Sequence, residues 1–257
     1  MAAAHQSPSE MPFLDHLEEL RWRIVWCLGA LVDGELLGYV VVLKYDFISL
    51  LQEPIRPFLN GNKLVYTKPG DTFNIVLNVS LAIGVGLALP VIAWQIWAFL
   101  APALFQHERK VIVPVLFGAI FLFVGGAAMA WFIVVPMALG FLTGFQSESL
   151  TPMITAEGYF DFVTSLVLAF GLAFELPIVL LALSALCVVN ARQLAQGRRF
   201  ALVGSVVAAS VLTPGDLVTT TLAMSVPLYL LYEISIGLAW LIDRKRAQRQ
   251  SIAGAPA

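Results

Sequence analysis

The amino-acid sequence predicts an all-α polytopic membrane protein with six transmembrane helices. Hydrophobic residues make up 59% of the 257 positions and charged ones only 12%, against about 25% charged in ordinary soluble domains. The apolar residues gather into runs matching the roughly 20 residues that cross about 30 Å of hydrocarbon. Lys and Arg cluster in short segments between those runs.

Residues 1–21 read as a cytoplasmic lead-in, amphipathic at its end, with Leu14, Leu17 and Leu20 three apart. It has neither the basic start nor the apolar core of a cleavable signal. The first span is expected at 24–43, interrupted by Asp33 and Glu35. The polar stretch that follows, rich in Pro and Gly, suggests short amphipathic helices at the membrane surface. Span two is expected at 72–99 with Pro90 inside, and span three at 111–139 with Pro114 and Pro136 near its ends. Span four, 160–189, holds Glu175 and Pro177. A fifth run, 200–212, is short enough on length alone to be re-entrant. After Thr213-Pro214-Gly215-Asp216 the sixth span runs over 217–242, and 243–257 forms a basic tail whose last residues are expected to be disordered.

Charge parity decides the number. If all six runs cross, eleven Lys and Arg fall on one side and four (Lys44, Arg56, Lys63 and Lys68) on the other. The positive-inside rule then puts both termini in the cytoplasm. A re-entrant fifth run would send the basic tail outside, so the short run is read as a crossing. Trp22, Trp94, Trp97 and Trp240 lie near the cytoplasmic ends, where an indole ring suits the headgroup layer.

Polar residues inside the spans are the candidate functional groups. Glu175 has about fifteen apolar-biased residues before it and about fourteen after. A charge at helix centre costs about 2.5–3.5 kcal/mol and generally faces a bundle interior or a wet cavity. Two readings stay open: a protonated group in a packed core, or the lining of a hydrated cavity. Asp33 and Glu35 point about 200° apart on a helix. Either one face of the first span packs on protein and the other meets a water-filled groove, or that span is only marginally stable. At the cytoplasmic side, Glu18 and Glu19 near the first span and Glu108 after the second form an acidic rim. Such carboxylates are either solvated surface groups or bidentate acceptors for a planar guanidinium, a geometry that favours Arg over Lys.

Phosphate-binding glycine loops, HExxH and Cys/His metal spacings are missing from the sequence, so no enzyme, cofactor, metal site or nucleic-acid partner is expected. His5, His16 and His107 read as surface residues, and Cys27 and Cys187 as small buried hydrophobes. Any transport would draw on a gradient or on partner proteins.

Several ordered motifs carry a resemblance: His16-Leu17-Glu18-Glu19-Leu20-Arg21; Pro54; Trp97-Ala98-Phe99-Leu100-Ala101-Pro102-Ala103-Leu104-Phe105 followed by His107-Glu108-Arg109; Phe170-Gly171-Leu172-Ala173-Phe174-Glu175-Leu176-Pro177; and Leu212-Thr213-Pro214-Gly215-Asp216. From about Phe13 to Asp243 the chain resembles TatC, the polytopic subunit of the twin-arginine protein translocase. The resemblance implies a concave, glove-shaped bundle of six helices in the bacterial inner membrane. It implies a receptor that recognises the arginine pair of signal peptides on folded substrates, working with TatA and TatB subunits and other TatC protomers on the protonmotive force. Glu19 and Glu108 match the acidic residues implicated in binding the arginine pair. Arg21, Phe99, Pro54, Glu175 and Asp216 match positions with proposed roles in signal binding, fold or partner contact. Two departures stand out: the acidic Asp33-Gly34-Glu35 in a helix that relatives keep apolar, and Thr220 where many relatives carry Gln.

Two rival readings are an ion-coupled small-solute transporter with Glu175 as coupling carboxylate, and a non-transporting assembly scaffold. The first would show repeat-related halves, and no internal repeat is visible in the sequence.

Overall fold

The computed structural model describes residues 11–59, 61, 63–100, 112–144, 153–185, 188–212 and 219–253. Among them the chain is almost wholly helical. The helices are α1 (Met11–Lys44), α2 (Phe47–Leu51), α3 (Asp71–Leu100), α4 (Ile112–Met129), α5 (Val135–Gly144), α6 (Ala156–Ala173), α7 (Leu176–Ala185), α8 (Ala191–Gln196), α9 (Arg198–Leu212) and α10 (Thr219–Ala253). Five stretches, 17–44, 71–99, 115–144, 156–184 and 224–244, are long and apolar enough to cross a membrane. At 15 residues, α9 rises only about 22 Å.

The longest interface joins α1 to α3, and small residues set it. Gly34 and Gly38 on α1 meet Gly84 and Ser80 on α3; a Cβ at Gly34 would strike the Gly84 carbonyl oxygen, and one at Gly38 the Ser80 carbonyl. Glycines four apart let two backbones touch, the usual substitute for a hydrophobic driving force between helices in lipid. The acidic pair of the first span is thereby explained in part. Gly34 between them is buried against α3, Asp33 faces outward and Glu35 is half-buried, as their angular separation requires.

At the end where α1 stops, Asp46 takes a left-handed backbone conformation (φ 46°) and turns the chain into α2, a conformation Asp tolerates better than most residues. A 3-10 turn, Glu53–Phe58, follows. These short elements do more than lie on a surface: Leu51 and Ile55 are buried in the main core beside Val79, Val135 and Phe160. Tyr159 on α6 donates its hydroxyl to the Leu51 carbonyl at 2.6 Å. Val65 pairs with Thr155, and Ala156 N–H donates to Val65 O at 2.8 Å. Asp71 starts α3 by accepting from the backbone N–H groups of Thr67 (2.8 Å) and Lys68 (2.9 Å). The loop end is therefore tied to α3 and α6 by directed bonds.

The third span contains a π-helical turn, Ala130–Val134, between α4 and α5. Its cause is Pro136, which has no N–H to offer and whose ring crowds the carbonyl four residues back, at Phe132. The fourth run is broken: α6 ends at Ala173 and α7 begins at Leu176, with Pro177 buried in its first turn. Close packing holds α4 and α6 together, since a Cβ at Gly126 would meet Phe170 O at 2.6 Å and one at Gly171 would meet the Phe123 ring at 2.8 Å.

Two details, at Trp97 and Cys27, differ from the sequence reading. Trp97 is not an interfacial anchor but is buried with Val115 and Ala182, whereas Trp22, Trp26, Trp94 and Trp240 are exposed as a headgroup belt requires. The basic tail is helical through Ala253, and residues 254–257, where disorder is expected, lie outside the described residues. Cys27 is only partly buried; Cys187 lies outside the described residues.

Candidate functional site

Most described arginines sit at one end of the bundle, where α1 begins, α3 ends and α7 to α9 join. Antiparallel packing of α1 on α3 fixes what meets there. Arg23 contacts Gln95, Gly34 contacts Gly84, and Gly38 contacts Ser80. Each step along α1 is matched by an equal step back along α3. Carried one turn further, the same register sets Glu19 at the level of Phe99. Two residues singled out from sequence thus share one rim.

Glu19 is already engaged with a guanidinium. Its Oε1 accepts from Arg23 Nε at 3.0 Å and also from Nη2, while Arg23 Nη1 donates to Gln95 Oε1 at 3.2 Å. The two side chains are 35% and 22% exposed, so the pair is partly screened by water and contributes at most about 1 kcal/mol. That is weak enough for another guanidinium to compete. Sequence reading missed Arg23 and Gln95, although Glu19 and Arg23 stand at the i, i+4 spacing that brings opposite charges together on a helix. Arg21, on the same turn, is exposed, and Phe99 is half-buried. Glu108 and Asp216 lie outside the described residues, as does the Thr220 side chain, whose backbone is in the first turn of α10.

Glu175 occupies the break between α6 and α7. Its carbonyl accepts from the N–H groups of Ile178 and Val179, both at 3.0 Å, so its backbone starts α7. The side chain is half-buried, with Oε1 buried and lacking a hydrogen-bond partner among the described residues. Pro54 sits in the 3-10 turn at the opposite end, where its fixed φ suits a helical start.

A second polar cluster, not anticipated from sequence, joins α9 to α10. Arg198 Nε lies 2.8 Å from Glu233 Oε1, Tyr229 donates to the same oxygen at 2.8 Å, and Tyr232 donates to Leu194 O at 2.8 Å. The Asp243 carboxylate accepts from Ala191 N–H at 2.9 Å, capping α8. No group of three or more His, Cys, Asp or Glu among the described residues could hold a metal ion.

Comparison with known proteins places these features in a family. The model of the Sec-independent protein translocase protein (TatC) matches residues 15–227. The Sec-independent protein translocase protein TatC of Aquifex aeolicus is 40% identical over 242 residues, covering 93% of this chain and 99% of that protein. The Escherichia coli protein of the same name is 34% identical over 226 residues, 88% of this chain and 86% of its own. A crystal structure of the twin arginine translocase receptor TatC superposes with a TM-score of 0.74 at 40% identity, covering 88% of this chain and 98% of that one. A second, determined in DDM, gives 0.75 at 41%, with 87% and 99% covered.

Proposed function

Because this chain belongs to the TatC family of Sec-independent protein translocase proteins, we infer that the rim at Glu19 is where it receives the arginine pair of an export signal. The chain is a core subunit of the twin-arginine translocase. The observation that carries the docking reading is the Glu19–Arg23 pair, in which one carboxylate oxygen takes two guanidinium nitrogens. A carboxylate oriented for one planar fork is oriented for another, and a Lys ammonium lacks that fork. In this reading an incoming arginine takes over contacts that Arg23 makes at rest, and Arg23 keeps its bond to Gln95. Glu108 binds the second arginine, Arg21 and Phe99 border the peptide, and the apolar part of the signal follows the helix face inward.

The basic end is then cytoplasmic by the positive-inside rule, and α9 is the short fifth crossing that keeps both termini there. The membrane is the bacterial inner membrane. TatA and TatB subunits and further copies of the chain supply the rest of the pathway, and the proton gradient drives it. Glu175, Asp216 and Thr220 offer polar groups to a later stage of passage, and Pro54 shapes the outer loop. The comparisons give no support to the ion-coupled small-solute reading of Glu175.

Photocrosslinking from positions 19 and 108 to a twin-arginine peptide, with a twin-lysine peptide as control, tests the docking. Crosslinks to the arginine peptide that the lysine peptide lacks support it; equal crosslinking of both would remove the role of the guanidinium.

A further inference from the structure

Asp33 is an ionisable side chain near the middle of the first span, nine residues from Ile24 and ten from Leu43. It is exposed. The nearest cations on its own helix, Arg23 and Lys44, are ten and eleven residues away, about 15 Å along the axis. That is beyond the reach of a two-carbon side chain. The glycines Gly34 and Gly38 are used up against α3, so Asp33 looks away from the bundle. On the same outward side lie Trp26, Leu36, Leu37 and Val40, all exposed. Gly29, one turn before Asp33, has open space where its Cβ would be. The face is apolar, has a notch at Gly29 and carries one acid.

We propose that this outward face of α1 docks a membrane-spanning helix of another protein that presents a cation near its own midpoint to Asp33. Charge complementarity selects the occupant. None of the 15 Lys and Arg residues, and no His, lies within the six apolar stretches of this chain, so a second copy has no mid-depth cation to offer. Lipid tails offer none either. Ionisable side chains at mid-depth generally pair with one another or line a wet cavity. A helix approaching over Gly29 brings its backbone close enough for a side chain to reach the carboxylate, as small residues allow elsewhere in membranes.

The test uses the full chain in proteoliposomes, fluorescently labelled in its tail, and a labelled leucine-rich single-span peptide with Lys at its centre. A peptide with Leu at that position is the control. Energy transfer should reach half-saturation at an about tenfold lower peptide-to-lipid ratio for the Lys peptide. Asp33→Leu should abolish that preference and Asp33→Glu should keep it, while twin-arginine peptide binding at the distant rim stays intact in both and reports a folded chain. Equal association of the two peptides with the unaltered chain would overturn the proposal without any variant. Persistence of the preference in Asp33→Leu would overturn it too, as would self-association of the chain alone that Asp33→Leu removes.

Discussion

Gly34 of α1 and Gly84 of α3 are in backbone contact, with no room for a methyl group on either. This makes the α1–α3 interface a joint with no tolerance for added side-chain volume. Overpacking a close interface costs about 1–3 kcal/mol, so Gly34→Ala and Gly84→Ala should each lower the thermal unfolding temperature of the purified protein. Gly29→Ala, where a Cβ meets nothing within 4 Å, should leave it unchanged.

Glu19→Gln removes the charge but keeps the shape at the rim. Loss of a charge-assisted bond contributes about 1.5–3 kcal/mol, so affinity for a twin-arginine peptide should fall by about tenfold or more, with thermal stability nearly unchanged because the Arg23 pair is weak. Isothermal titration with arginine and lysine peptides reads both the loss and its selectivity. An equal loss for both peptides would point to general electrostatics instead.

Glu175→Leu should separate stability from function. A buried carboxylate oxygen with no partner among the described residues costs about 1–3 kcal/mol, so the apolar variant should melt at the same or a higher temperature. Export of a folded reporter should nonetheless drop. A clear fall in melting temperature would mean that the carboxylate holds the α6–α7 break together.

Tyr159→Phe deletes the hydroxyl that donates to Leu51 O and leaves a buried carbonyl unpaired. The expected destabilisation is about 1–2 kcal/mol, measured by thermal or denaturant unfolding in detergent. Protease sensitivity should rise in the segment between α1 and α3.

Arg198 and Glu233 should show modest coupling. Both are substantially exposed, and such pairs typically give about 0.2–1 kcal/mol. A double-mutant cycle with Arg198→Ala and Glu233→Ala measures it, and Tyr229→Phe should reduce it.

The helices were legible because lipid leaves the backbone few alternatives, so the apolar runs could be read directly. Interfaces were harder. Gly34-Glu35-Leu36-Leu37-Gly38 contains the close-packing spacing, yet Asp33 and Glu35 on either side of Gly34 make the stretch read as polar rather than as a helix interface. Trp97 looked like an anchor because depth along a helix says nothing about which side faces protein. The Arg198–Glu233 pair joins residues 35 apart, a distance that sequence spacing does not reveal. The break after Ala173 was foreshadowed by Pro177, and the π turn by Pro136, since a missing N–H must show itself somewhere in the ladder.

Pro90 lies on α3 between the glycine contacts at 80–84 and the rim residues Gln95 and Phe99. It removes the ladder bond that would reach back to Gly86. The lower part of α3 is clamped to α1, and the upper part is joined below by a weakened turn. Movement of the upper segment would change the gap between Gln95 and Arg23 while Gly34 and Gly84 stay in register. Pro90 therefore leaves α3 one backbone bond short between its glycine-clamped part and the rim that Gln95 and Phe99 share with Glu19.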